Sequence, residues 1–224
     1  MNNWNSGKPI PPKTFGLTFD DGYENFGRLA FPILQRFGFT ATVFLVTEHV
    51  GSKSNWPGEA GTPLLTWPQI RALAKEGITF GSHTCCHPRL PMVSEKVVWQ
   101  ELVLSKRHIE NELGQEVQFL AYPYGHSSPE VRELVGKAGY VAAFGQATGK
   151  SGPYNVWRRM ARAEESLLAF RIKMSRWHPY PAWIRQETLF GELLRRAKHV
   201  LVGPSRWPPA EFAMSSEKSQ ERCK

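Results

Sequence analysis

The chain has 224 residues, 41% of them apolar and 21% charged, with a formal net charge of +8; this balance fits one globular domain with a short extension. No apolar run reaches the roughly 18 residues of a membrane-spanning helix, and the polar start, residues 1–12, lacks the layout of a secretory signal, so the expectation is a cytoplasmic protein. Despite the positive charge, no basic segment carries the interleaved aromatics of a nucleic-acid module, so the reading has no nucleic-acid partner.

In chain order, residues 13–19 form a short β-rich run that ends at Asp20-Asp21-Gly22. Residues 26–37 have helical spacing, with Leu29, Ile33, Leu34 and Phe37 on one side and Gly38 as the stop. Residues 40–46 (TATVFLV) read as a buried strand, and residues 50–63, with their Gly, Ser and Pro, as a loop. Thr66 caps a helix that runs to Lys75, with Pro68 in its first turn. Residues 78–81 form a strand leading straight into His83. Residues 94–113 form a long helix between a Ser94 cap and Gly114. A strand over 117–121 leads into Tyr122-Pro123-Tyr124-Gly125, Ser128 caps a helix through Ala138, and strands follow at 140–144 and 155–161, then a helix at 164–175.

Strand and helix alternate about six times, which predicts an α/β architecture with a parallel sheet. The residues able to carry chemistry, Asp20, Asp21, His83, His87 and Tyr124, all follow predicted strands, which is where barrels and open parallel sheets place their sites. The expected division is a domain over 1–176 and an extension over 177–224. The extension holds a turn at 177–181, a basic amphipathic helix at 183–202 and a disordered tail. That helix packs on the domain or makes weak contact with a membrane surface.

Asp20 and Asp21 are the chain's only aspartates, and scarcity alone does not explain their adjacency. His83 and His87 are four residues apart, so on a helix or a tight turn both imidazoles can face one point. Two histidines and a carboxylate make a three-ligand metal site with room left for water and substrate; zinc suits it, and cobalt, nickel or iron fit by ligand type. Cys85 and Cys86 could serve as soft ligands, but their side chains point away from the His pair, so packing is the favoured role. Three cysteines, including Cys223, make no disulfide framework and fit a reducing compartment.

Leu17-Thr18-Phe19-Asp20-Asp21-Gly22, Gly81-Ser82-His83-Thr84 with His87-Pro88-Arg89-Leu90, Leu65-Thr66-Trp67, and Phe119 to Gly125 occur in an order and spacing that resemble the polysaccharide deacetylases. These are the NodB-homology, family-four carbohydrate esterases. The resemblance covers roughly residues 15–174. It implies a distorted (β/α) barrel of about six to seven strands and removal of acetyl, most often N-acetyl, groups from a glycan or glycolipid. It also implies a divalent metal on Asp21, His83 and His87, with Asp20 as general base for a metal-activated water. The backbone N–H that stabilises the oxyanion maps to Tyr124, since Pro123 has none.

Two departures stand out. Ala121 occupies the place of the arginine that orients the base, so Arg159, with Arg158 second, is the substitute. The late histidine that serves as general acid has no clear counterpart; His178 and His126 are the candidates, the alternatives being no such acid or Asp20 itself after it has taken the water's proton. Tyr23, Trp67 and Tyr122 are the candidates for a sugar cleft, although a tryptophan in the place of Trp67 more often packs than binds. The rival readings are a sugar-binding relative without catalysis and a metal-free amidohydrolase acting on small cyclic amides.

Overall fold

A computed structural model describes residues 14–146, 151–161 and 165–174. Its chain divides into two compact units, one ending at Trp157 and one beginning at Arg158. The whole expected extension, residues 177–224 with its turn, the 183–202 helix and the tail, lies outside the described residues.

The first unit is built on six strands: β1 (Thr18–Phe19), β2 (Thr42–Leu45), β3 (Thr79–Ser82), β4 (Phe119–Ala121), β5 (Ala142–Gly145) and β6 (Val156–Trp157). They pair in sequence order, every pair parallel. This is the expected α/β arrangement of a distorted barrel, with β1 and β6 at the sheet edges. The expected strands at 13–19 and 155–161 shorten to two residues each, because only the paired residues keep ladder geometry at an edge.

Helices link the strands: α1 (Phe31–Arg36), entered through a wide turn at Phe26–Ala30, α2 (Trp67–Lys75), α3 (Glu95–Leu113) and α4 (Pro129–Lys137). Three start and stop signals hold. Thr66 and Gln69 form a reciprocal capping box at α2. Ser128 accepts the Val131 N–H at α4, and Gly114 ends α3 with φ 64°. Ser94 makes no side-chain cap bond. The expected inner face of the first helix is corrected: Leu29, Ile33 and Phe37 are more than half exposed, while Phe26 and Leu34 are buried. The second unit's described helix, α5 (Leu167–Met174), carries exposed Leu167, Leu168 and Ile172. No helix among the described residues is long and apolar enough to cross a membrane.

Both faces of the sheet are apolar, as a parallel sheet requires. Val43 and Leu45 point into the larger core with Ile70, Leu73, Leu102 and Ile109, while Phe44 between them packs with Phe119, Ala121 and Ala142 on the opposite face. Gly81 sits opposite Phe44 in the β2–β3 register. A Cβ there would meet the Phe44 ring at 2.6 Å and the Phe119 carbonyl at 2.8 Å. Gly81→Ala is therefore expected to destabilise the protein by about 1–3 kcal/mol, the usual cost of overpacking, read as a lowered urea midpoint with an unchanged m value.

Candidate metal centre

Because all strands run parallel, the residues after β1, β3 and β4 emerge on one rim. Asp21 follows β1 by two positions, His83 follows β3 directly, and the turn at Pro123–Gly125 follows β4. Four non-glycine residues have left-handed backbone among those described: Asp21 (φ 69°), Thr84 (71°), His87 (60°) and Tyr124 (58°). All four lie in these rim loops. Such conformations cost about 1 kcal/mol or more each and persist where the surroundings fix them, typically at functional sites.

The loops bring Asp21, His83 and His87 together. Asp21 Oδ1 lies 3.5 Å from His83 Nε2 and 3.3 Å from His87 Nε2, and the two Nε2 atoms are 3.3 Å apart. His83 Nδ1 is 2.8 Å from the Ala121 carbonyl. A carbonyl only accepts, so Nδ1 carries the proton and Nε2 turns its lone pair to the centre. His87 is clasped between the rings of Trp56 and Tyr124, with centroids at 4.6 and 4.7 Å. Burial, followed by the charges of His83, His49 and Arg89, pushes its imidazole down to about 2, so it is neutral.

This donor set fits a cation. A carboxylate oxygen and the His83 lone pair cannot hydrogen-bond each other, yet they converge within 3.5 Å. Ligand atoms about 2.0–2.2 Å from a tetrahedral zinc stand about 3.3–3.6 Å from one another, which matches all three edges of the triangle.

Asp20 is half-buried beside Asp21 in the chain, and its carbonyl accepts the Gly22 N–H at 2.9 Å, closing a tight turn. Tyr124 stands at the centre through its ring on His87, and the Arg89 guanidinium carbon lies 3.9 Å from the centroid of that Tyr124 ring. Tyr23 stands beside the site: its hydroxyl accepts from Trp56 Nε1 at 2.9 Å and donates to the Glu59 carboxylate.

Other expected positions lie elsewhere. Tyr122 is fully buried and donates its hydroxyl to the Tyr154 carbonyl at 2.8 Å; a ring with no exposed surface cannot line a sugar cleft, so it is reassigned to the core. Trp67 packs against the main core and lies on His108 of α3, centroids 5.0 Å apart. Arg159, exposed, and Arg158, half-buried, belong to the second unit. His178 lies outside the described residues. His126 sits 3.4 Å from Arg89, and burial, followed by that cation, lowers its pKa. Cys85 is a free, buried thiol whose pKa is raised to about 12, first by burial, so it packs rather than ligates.

Three contributors were not read from the sequence: Trp56, which covers His87; Arg89, over Tyr124; and Glu101. Glu101 left a signal. It falls on the buried stripe Val98, Leu102, Ile109 of α3, where an acid needs a reason to be.

Residues 7–143 match the family model for polysaccharide deacetylase. The chain is 31% identical to the Bacillus subtilis protein YxkH over 124 residues, 55% of this chain and 41% of that one. It is 24% identical over 183 residues to a poly-β-1,6-N-acetyl-D-glucosamine N-deacetylase of Staphylococcus aureus, 75% of this chain and 60% of the relative. The chain thus spans less than two thirds of either relative's length. The solved structure of the Streptococcus pyogenes deacetylase PplD in complex with acetate superposes with a TM-score of 0.67 at 24% identity, covering 78% of this chain and 76% of that one. That likeness agrees with the fold described above. With more than half its length matched by the family model, the chain belongs to the polysaccharide deacetylase family.

Proposed function

We propose that this protein hydrolyses N-acetyl groups of a polysaccharide or glycolipid, with a divalent cation, zinc by preference, held by Asp21, His83 and His87. The observation that carries the reading is the triangle of one carboxylate oxygen and two imidazole nitrogens with edges of 3.3–3.5 Å. The names of the relatives support N-acetylated glycan as the substrate class.

A cation bound there supplies a Lewis acid for the acetyl carbonyl and lowers the pKa of water. The protein's residues do the rest. Asp21 is neutralised by ligation; Asp20, its neighbour, keeps its carboxylate for proton transfer and takes the proton of the attacking water as general base. The Tyr124 backbone N–H is the donor for the oxyanion, aided by a left-handed turn after Pro123, which has no N–H of its own. Asp20, once protonated, returns that proton to the leaving amine. Arg159 or Arg158 orients the base and His178 protonates the amine in the alternative version of the scheme.

Chelation is expected to abolish acetate release from an N-acetylated glycan panel, and zinc or cobalt to restore it. Persistent acetate release by metal-stripped protein would contradict the cation's role. Glycan binding by the metal-loaded protein without any acetate release would favour a sugar-binding relative.

A further inference from the structure

We propose that Glu101 is the positioning residue of the metal centre: its buried carboxylate fixes the turn from Thr84 to His87 so that both imidazoles aim at Asp21. This rests on the metal reading above and adds to it a residue that no motif marks.

Glu101 is 4% exposed, in the middle of α3. One of its oxygens, Oε2, accepts two consecutive backbone N–H groups, that of Cys85 at 2.7 Å and that of Cys86 at 3.0 Å. Those two residues lie between His83 and His87, so the carboxylate grips the middle of the segment whose ends are the ligands. Burial raises the carboxyl's pKa while these two N–H groups pull it down, and in a desolvated setting a hydrogen bond is stronger than in water.

The opposite side of the turn is held as well. The Thr47 N–H donates to the Thr84 carbonyl at 3.2 Å and the Glu48 N–H to the Cys85 carbonyl at 3.1 Å. The His87 N–H donates to Thr84 Oγ1 at 3.1 Å. Ser105, one helical turn beyond Glu101, bonds Ser82 Oγ at 2.7 Å, and Ser82 accepts the Thr84 N–H at 3.1 Å. The turn is thus clamped between β2's end and α3. It has to be, because Thr84 and His87 are both left-handed. Remove the carboxylate and two backbone N–H groups, that of Cys85 buried and that of Cys86 half-buried, lose their acceptor, and the backbone is released toward ordinary dihedrals. His87 would then move relative to His83, which precedes the gripped residues and is anchored to Ala121.

The test is zinc titration of metal-free parent, Glu101→Ala, Glu101→Gln and Glu101→Asp, with amide hydrogen exchange at Cys85 and Cys86 and thermal melting alongside. Glu101→Ala is expected to weaken zinc about 10–100-fold, the usual effect of losing a group that orients a ligand, and to speed exchange at both amides. Glu101→Gln still offers an oxygen and is expected to recover most of the affinity; Glu101→Asp, one methylene shorter, is not. A folded Glu101→Ala with parental zinc affinity overturns the assignment, and so does Glu101→Gln falling as far as Glu101→Ala. If Glu101→Ala does not fold, Glu101→Asp decides in its place: parental affinity in it overturns the role. A parent protein that binds neither zinc nor cobalt overturns the metal reading itself, a result distinct from a parent that binds and a variant that binds equally well.

Discussion

Asp20→Asn is expected to lower kcat by about 10²–10⁴-fold while the purified protein keeps a full complement of metal. The two side chains have the same shape and nearly the same volume, so packing is preserved. The contact that shapes the local turn, Gly22 N–H to the Asp20 carbonyl, is made by main chain and survives the change. What is lost is a basic oxygen able to take a proton. The expected loss corresponds to about 2.7–5.4 kcal/mol of transition-state stabilisation, without a matching change in KM, because a proton acceptor acts only once the water attacks. Asp21→Asn differs in kind: it weakens one corner of the triangle that includes His83 and His87, so metal content falls with activity. Metal per mole of protein, measured beside acetate release, separates the two. Parental turnover in Asp20→Asn would remove Asp20 from the chemistry; loss of metal in it would make Asp20 a ligand.

What could be read in advance follows from the range of the interactions involved. The alternation of strand and helix, the α2 capping box and the Gly114 stop are local, and they stand as read. The meeting of Asp21, His83 and His87 was legible because its parts carry rare local patterns, an adjacent pair of aspartates and histidines four apart. The first helix was misread because its spacing allows two apolar faces, and only the sheet decides which is covered: Leu34 is buried and Ile33 exposed. Tyr122 follows β4 as a catalytic residue would, yet its ring points into the core. Trp56 reaches His87 from a Gly- and Pro-rich loop whose path no periodicity encodes. Glu101 meets Cys85 and Cys86 only because α3 lies against the end of β3, a tertiary fact.

The metal-free protein is expected to lose stability as pH falls below about 6.5, with His87 as the cause. In the unfolded chain this imidazole titrates near its ordinary value of 6.5, whereas burial between Trp56 and Tyr124 pushes it down to about 2 in the fold. Between those values the unfolded state binds a proton that the folded state refuses. Stability therefore rises with pH through this window, is fully present above 6.5, and drains on acidification by at most about 1.4 kcal/mol per pH unit. At pH 4.5 the loss reaches about 2.7 kcal/mol. The carboxylates titrate in the same range, so the measurement is a difference: urea unfolding of metal-free parent and of metal-free His87→Gln at pH 7.0, 5.5 and 4.5. The gap between them is expected to shift against the parent as pH falls, since glutamine takes up no proton. A gap that stays constant would mean that the imidazole is not held neutral. Zinc adds stability that grows with the logarithm of its concentration over its dissociation constant, and that increment should shrink over the same interval, because the proton and the metal compete for the same lone pair.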